Sequence, residues 1–211
     1  MRLVVLTNEQ LKEELLSTGI SDGCKVEWIN SSKEFSSYAD ADAAIDLLFE
    51  QNDYDTSYLK DFVNRPVFVN SMNKTIAEID LPVIRMNAWP GFLKRNVAEA
   101  CCSDEVNKNK AEQVLNLLSR KAEWIPDIKG FISARVVSMI INEAYFALEE
   151  NVSTKEEIDI AMKLGTNYPY GPFEWSKKIG LQNIASLLIE LSKTEKRYEP
   201  ASLLLKEAKK Q

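Results

Sequence analysis

The chain of 211 residues contains no histidine. Histidine is the commonest proton carrier near neutral pH and a frequent metal ligand. Its absence excludes Ser–His–Asp and Cys–His mechanisms. Acid–base chemistry is left to carboxylates, lysines, tyrosines and cysteines. Cysteine is scarce too: Cys24, Cys101 and Cys102 are the only three. Two are adjacent and none has zinc-ligand spacing, so they predict no disulfide framework and a reduced, intracellular, cytoplasmic chain. No surplus of positive charge exists, since 26 Lys and Arg face 32 Asp and Glu for a net charge of −6. This argues against nucleic-acid binding by phosphate neutralisation and against a polybasic membrane anchor. An apolar signal core is also missing, because Asn8, Glu9, Gln10, Lys12, Glu13 and Glu14 interrupt the N-terminus early.

One further scarcity bears on function. Arg2–Thr7 reads as an apolar strand and Glu9–Ser17 as a helix closed by Gly19. A strand that runs straight into a helix is where dinucleotide-binding folds hold a pyrophosphate, on a turn that normally carries glycines. The stretch V-L-T-N-E-Q-L-K has none.

The rest of the first half alternates strand-like and helix-like segments. Cys24–Ile29, Ala43–Phe49, Pro66–Asn70, Val83–Met86, Arg95–Cys101 and Ala122–Ile125 read as strands. Ser57–Val63 reads as helical, and Ser103 is the expected cap of a helix from Asp104 to Arg120. Such alternation with short connections implies a mostly parallel sheet with flanking helices. Pro126, Asp127 and Gly130 mark a break, and only helices follow. Phe131–Leu148 is apolar nearly all round, which predicts burial on most faces by the domain or by a second subunit. Arg135, Asn142 and Glu143 within it argue against a membrane span. Ser153 and Glu156 form an expected capping box for a helix Glu156–Leu164 ended by Gly165. Pro172 is expected to start the next helix and Gly180 to end it. Leu181–Leu191 and Ala201–Lys209 complete the set. The rings of Tyr168–Trp175 read as anchors of helix packing rather than a stacking platform.

The chain has G-F-I-S-A-R at 130–135, N-E-A at 142–144 and E-I-D-I-A-M-K-L-G at 157–165. P-Y-G-P-F-E-W follows at 169–175, and G-L at 180–181. In order and spacing these resemble the C-terminal domain of the 3-hydroxyacyl-CoA dehydrogenases, whose members read approximately G-F-I-x-N-R, N-E-A, D-I-D-x-A-M-x-L-G, P-M-G-P-F-E-L and G-L. In the first half, D-A-D-A-A-I-D-L-L-F-E at 40–50 is similar to the family's D-A-D-L-V-I-E-A-V-F-E, with a shortened segment before it. The resemblance implies an α/β then all-α chain. A reduced Rossmann-like parallel sheet over residues 1–127 would be followed by a C-terminal helical dimerisation domain over 128–211.

In the family a nicotinamide cofactor takes hydride from the 3-hydroxyl carbon of an acyl-CoA. A histidine accepts the hydroxyl proton, a glutamate twelve residues on orients it, and a serine and an asparagine hold the substrate oxygen. Carried over, the histidine position is Asn87, in N-A-W-P-G against the family's H-F-F-N-P. An amide holds an oxygen by hydrogen bonding but takes no proton, and loss of the base alone lowers turnover by roughly 10²–10⁴-fold. The glutamate is retained as Glu99, either in its family role or simply as a carboxylate paired with a local cation such as Arg95. The serine falls at Met72 or Asn73, with Ser71 and Thr75 nearby. The asparagine position is Ala134. The three glycines of the first turn, V-I-G-A-G-T-M-G in a typical member, become Thr7, Glu9 and Lys12. A charge repulsion at about 5 Å and an effective dielectric near 20 costs about 3 kcal/mol, which Lys12 offsets in part.

Two readings follow. The chain is a family protein of acyl-CoA or fatty-acid metabolism with a degenerate NAD site, no cofactor unless the altered first turn still binds NAD, and weak or absent dehydrogenase activity. Alternatively it is a non-catalytic homodimer that binds an acyl-CoA or a partner enzyme. An altered enzyme with Glu99 as base is a third, more distant reading.

Overall fold

The computed structural model describes residues 1–62 and 64–210; the last residue of the expected 57–63 helix, Val63, lies outside them. The chain divides into two compact units, Met1–Phe131 and Ile132–Gln211.

The first unit is built on a seven-stranded sheet of order β2-β1-β3-β4-β5-β6-β7. Its strands are β1 Arg2–Leu6, β2 Lys25–Ile29, β3 Ala43–Asp46, β4 Val67–Asn70, β5 Ile84–Met86, β6 Val97–Cys101 and β7 Lys121–Trp124. All neighbours pair parallel except β5 and β6, which run antiparallel. Alternate residues of β1 serve opposite faces. Leu3 and Val5 pack with Leu11, Leu15, Val114 and Leu118, whereas Val4 and Leu6 pack with Phe35, Leu59 and Phe62. A sheet covered on both sides explains why its strands read as continuous apolar runs.

The first face is covered by α1 (Glu9–Leu16) and α3 (Glu105–Leu117). The other carries short pieces: 3₁₀ turns at Ser32–Tyr38 and Ser57–Phe62, and the one-turn α2 (Ile76–Ile79). The crossovers from β2 to β3 and from β3 to β4 are therefore trimmed to 3₁₀ turns. Strand β3 is shorter than its apolar run because Asp46 Oδ1 accepts from the Leu48 N–H at 2.8 Å and turns the backbone out of the ladder. The cap of α3 is Asp104, whose carboxylate accepts from Asn107 N at 2.8 Å. Ser103 is one residue too early and its hydroxyl donates to Asp104 instead. Arg120 is buried without a carboxylate. Its guanidinium donates to the carbonyls of Glu14, Leu15, Leu93 and Leu118, which closes the C-terminal ends of α1 and α3. Burial lowers its pKa to about 10.

The second unit is all helical: α4 Ser133–Glu149, α5 Lys155–Thr166, α6 Pro172–Ile179, α7 Leu181–Ser192 and α8 Ser202–Ala208. The capping box of α5 uses Thr154 and Glu157, not Ser153 and Glu156. Ser153 Oγ donates to the Glu157 carboxylate at 2.5 Å and extends that box. Gly165 lies inside α5, and Asn167 in the left-handed region at φ 56° is the C-cap. Helix α4 buries Ala134, Val137, Ile141 and Tyr145. Within this unit Ile132 and Val136 stay more than half exposed, so one stripe of the expected all-round burial is unmet here. Asn142 holds the segment before α8, donating to Glu199 O and accepting from Ala201 N, both at 2.9 Å. The D…G-P-F-E residues of the motif form a second device. Asp159 accepts from Phe173 N at 2.8 Å and Glu174 N at 3.1 Å, which caps α6. Gly180 ends α6 at φ 93°. Among the described residues no helix is long and apolar enough to cross a membrane.

Two stability predictions follow from these contacts. A Cβ on Gly171 would lie 2.3 Å from Asp159 Oδ1, so Gly171→Ala displaces the cap. Loss of the two bonds is expected to cost at least about 2 kcal/mol, read as a lower urea midpoint for the helical unit. Asp46 is the second case. Its carboxyl is fully buried, and desolvation raises its pKa to about 6 against a partial opposing effect of the Tyr58 hydroxyl. The folded chain thus keeps a proton that the unfolded chain releases near pH 4. Stability falls as pH rises through that window, by about 3 kcal/mol in all. Urea titrations at pH 4.5 and 7 are expected to show Asp46→Asn gaining on the native chain as pH rises.

Candidate functional site

The first strand-to-helix turn is short. Leu6 ends β1, Glu9 begins α1, and only Thr7 and Asn8 lie between. Thr7 is buried; its N–H donates to Ile29 O at 3.1 Å and its hydroxyl to Asn8 O at 3.0 Å. Asn8 is the N-cap of α1, and its Oδ1 accepts from Leu11 N at 2.9 Å. One of the helix's free amide donors is thereby satisfied from within the chain. Glu9 points into water, with its side chain 84% exposed, and lies 3.6 Å from Lys12 Nζ. Water around this carboxylate reduces a repulsion like the one anticipated above to about 1 kcal/mol. The Lys12 ammonium also sits 5.6 Å from the Trp28 ring centroid. The turn therefore differs from a glycine-rich one chiefly through the cap of Asn8 and the side chain at position 9.

At the other end of the sheet, the antiparallel register pairs Arg85 with Cys101 and Met86 with Ala100. Continued by one step, it sets Asn87 opposite Glu99, and Asn87 N donates to Glu99 O at 3.1 Å. Both side chains are buried, and Asn87 Nδ2 donates to Glu99 Oε2 at 3.1 Å. The twelve-residue spacing is thus a consequence of register. Arg95 also acts on this carboxylate: burial lowers the arginine's pKa and the charge of Glu99 opposes that effect. Glu99 thus has the Asn87 amide as a hydrogen-bond partner and a charge interaction with Arg95.

The segment after Asn87 is held from several sides. Trp89 N donates to Asn87 Oδ1 at 3.3 Å, Ala88 N to Asn70 Oδ1 at 3.0 Å, and Trp89 Nε1 to Glu50 Oε2 at 3.3 Å. Gly91 N donates to both oxygens of Glu14, at 2.9 and 2.7 Å. Met72 and Asn73, the two candidates for the serine position, are buried, and both backbone N–H groups donate to Glu50 Oε1 at 2.9 Å. The Ser71 hydroxyl is turned onto Lys74 O at 3.0 Å. Burial raises the Glu50 pKa, while these donors oppose the rise.

The structure therefore brings Asn87 and Glu99 into contact, and it links the Asn73 turn to the Asn87 turn through Glu50. Thr7, Glu9 and Lys12 lie together at the start of α1. Ala134 lies fully buried in α4 of the second unit. Five residues of this neighbourhood escape a reading of the sequence: Asn8, Glu14, Glu50, Asn70 and Trp89. A signal existed for three. Asn8 directly precedes a helix, as an N-cap does. Glu14 falls between Leu11 and Leu15 on the apolar face of α1. Glu50 ends an apolar run that buries its neighbours. Among the described residues no group of three or more Cys, Asp or Glu side chains could hold a metal ion.

A family model described as "3-hydroxyacyl-CoA dehydrogenase, C-terminal domain" matches residues 130–211. The 3-hydroxyadipyl-CoA dehydrogenase of Escherichia coli (strain K12) is 39% identical over 129 residues, 60% of this chain and 27% of that protein. A probable 3-hydroxybutyryl-CoA dehydrogenase of Bacillus subtilis (strain 168) is 37% identical over 126 residues, 59% of this chain and 44% of the relative. The chain spans less than half the length of these curated relatives. Among solved structures, FadB2 of M. tuberculosis superposes with a TM-score of 0.78 at 13% identity, over 99% of this chain and 93% of that one. The (S)-3-hydroxybutyryl-CoA dehydrogenase PaaH1 of Ralstonia eutropha gives 0.73 at 19% identity, over 97% and 92%. At such identities the likeness shows the fold alone: a Rossmann-type sheet followed by a helical domain. With the motifs in order at 130–181, residues 130–211 match the C-terminal domain of the 3-hydroxyacyl-CoA dehydrogenases.

Proposed function

We propose that the chain binds an acyl-CoA of fatty-acid metabolism without carrying out normal dehydrogenase turnover, with residues 1–127 as the reduced Rossmann-like domain and 128–211 as the helical one. The observation that carries this reading is the Asn87–Glu99 pair. Where the family places a base oriented by a carboxylate, this chain places an amide. An asparagine Nδ2 has two hydrogens. One goes to Glu99, which leaves one for a thioester or hydroxyl oxygen and no group on Asn87 to take a proton. The first turn does not suit a dinucleotide. Asn8 already caps α1, and side chains stand at positions 7, 9 and 12, the second of which is where backbone approach to a pyrophosphate needs glycine. The three free thiols support a reducing, cytoplasmic setting.

A second observation favours assembly of two copies. On the helical unit, Met139, Ile140, Ala144 and Ala147 of α4 line a groove of about 430 Å³ with Ile158, Met162 and Pro172, and Glu143 is its only charged side chain. The exposed Ile132 and Val136 continue the α4 stripe at helical spacing. Uncovered apolar surface of this kind is characteristic of a protein interface, and the reading of a homodimer through the C-terminal helices accounts for it.

Titration calorimetry with NADH tests the cofactor reading. Binding weaker than micromolar by at least about a hundredfold is expected, and micromolar binding would overturn it. Acetoacetyl-CoA, by contrast, is expected to bind without NADH. The dimer reading predicts a mass of twice 24.0 kDa by light scattering, reduced to one copy by Ile140→Glu. A native monomer at high concentration sinks it.

A further inference from the structure

Glu50 has no role in the reading above, yet three turns converge on its carboxylate. Oε1 accepts from Met72 N and Asn73 N, each at 2.9 Å, and from the Tyr54 hydroxyl at 3.2 Å. Oε2 accepts from the Trp89 indole at 3.3 Å. These donors come from the segments after β3, β4 and β5, which are neighbours in the sheet. Burying a carboxylate is costly, and an apolar side chain of similar size would hold such segments together at less cost. What a carboxylate adds is direction, because each oxygen accepts along defined lines. The line continues to the candidate site. Trp89 is fully buried, its indole is fixed by Glu50, and its own N–H donates to Asn87 Oδ1 at 3.3 Å. Asn87 then donates to Glu99. Glu50 thus stands at one end of a continuous chain of contacts, Glu50–Trp89–Asn87–Glu99.

We propose that Glu50 is a positioning residue for the candidate site: its carboxylate orients the Asn87 amide through Trp89 and sets the Asn73 turn against it. The ligand consequence, that the free Asn87 N–H is aimed at an acyl-CoA oxygen, rests on the function proposed above. The positioning does not, and the two fail separately.

The test uses the full chain, native and as Glu50→Gln and Glu50→Ala. In Glu50→Gln the amide oxygen still accepts from Met72 and Asn73, but its NH₂ faces the Trp89 N–H, donor against donor. Circular dichroism checks that each variant is folded. Nitrogen-15 NMR then reads the Trp89 indole resonance, and hydrogen exchange reads the Met72 and Asn73 amides. In Glu50→Gln the indole resonance is expected to move and its exchange to quicken about tenfold, with the two amides little changed. In Glu50→Ala all three are expected to respond, and formate, a carboxylate small enough for the vacated space, is expected to restore them where chloride does not. Acetoacetyl-CoA affinity is expected to fall about tenfold in both variants and to recover with formate in Glu50→Ala. An unchanged indole in folded Glu50→Gln, or no formate-specific recovery in Glu50→Ala, overturns the proposal. NMR responses as expected with no acetoacetyl-CoA binding by the native chain uphold the positioning role and overturn the acyl-CoA reading instead.

Discussion

The sheet unit depends on a buried guanidinium. Arg85 on β5 is fully removed from water. A charge in that position must have every donor answered, and the answers draw in otherwise separate segments. Nε and Nη2 donate to Ser71 O at 3.2 and 2.8 Å, Nη2 also to Ile128 O at 3.3 Å, and Nη1 pairs with the Asp127 carboxylate. The second Asp127 oxygen accepts from Ile76 N at 2.9 Å, at the start of α2. The guanidinium also lies 4.6 Å from the Phe131 ring centroid. Phe131 needs such an anchor, because its φ of 48° is unfavourable for a bulky side chain. One side chain therefore fixes the turn carrying Met72 and Asn73, the helix after it and the end of the sheet unit.

Set beside the family pattern, the matching residues of the helical unit are those that hold that unit's fold. Asp159 and Gly171 cap one helix against another, Asn142 ties down the segment before α8, and Gly180 turns the chain at φ 93°. The positions that depart from that pattern, at 7, 9, 12, 87 and 134, are those proposed above to answer to the family's cofactor, proton and substrate-oxygen sites. The same sorting explains why the resemblance is strongest in the helical domain, whose motifs are largely caps and close approaches.

Legibility followed the same physics. The strands are readable because a sheet buried on both faces produces apolar runs, α4 because its apolar run is long, α6 because Pro172 and Gly180 bound it, and α7 because it is amphipathic. Short pieces are not. α2 and the two 3₁₀ turns of the sheet unit have 4, 7 and 6 residues, too few to show a period. Caps slipped by one residue where two candidates adjoin, Ser103 beside Asp104 and Ser153 beside Thr154. β3 was overextended because its terminator, Asp46, sits inside an apolar run. The contact between Asn87 and Glu99 could be suspected only through the resemblance, since it arises from strand register. Glu14 and Glu50 are hidden because a glutamate reads as a surface residue until its main-chain donors, 77 residues away for Glu14 and 22 and 23 for Glu50, are known.

The cap on α1 has a consequence for how the fold is maintained. A helix whose first turn waits for a phosphate draws part of its stability from a dissolved molecule, and that part varies with concentration by mass action. Asn8 provides an acceptor for that turn as a covalent part of the chain. It is present at the same effective concentration whatever the surrounding solution contains. The order of the first strand and helix is in this sense inherited from the sequence rather than borrowed from a metabolite pool.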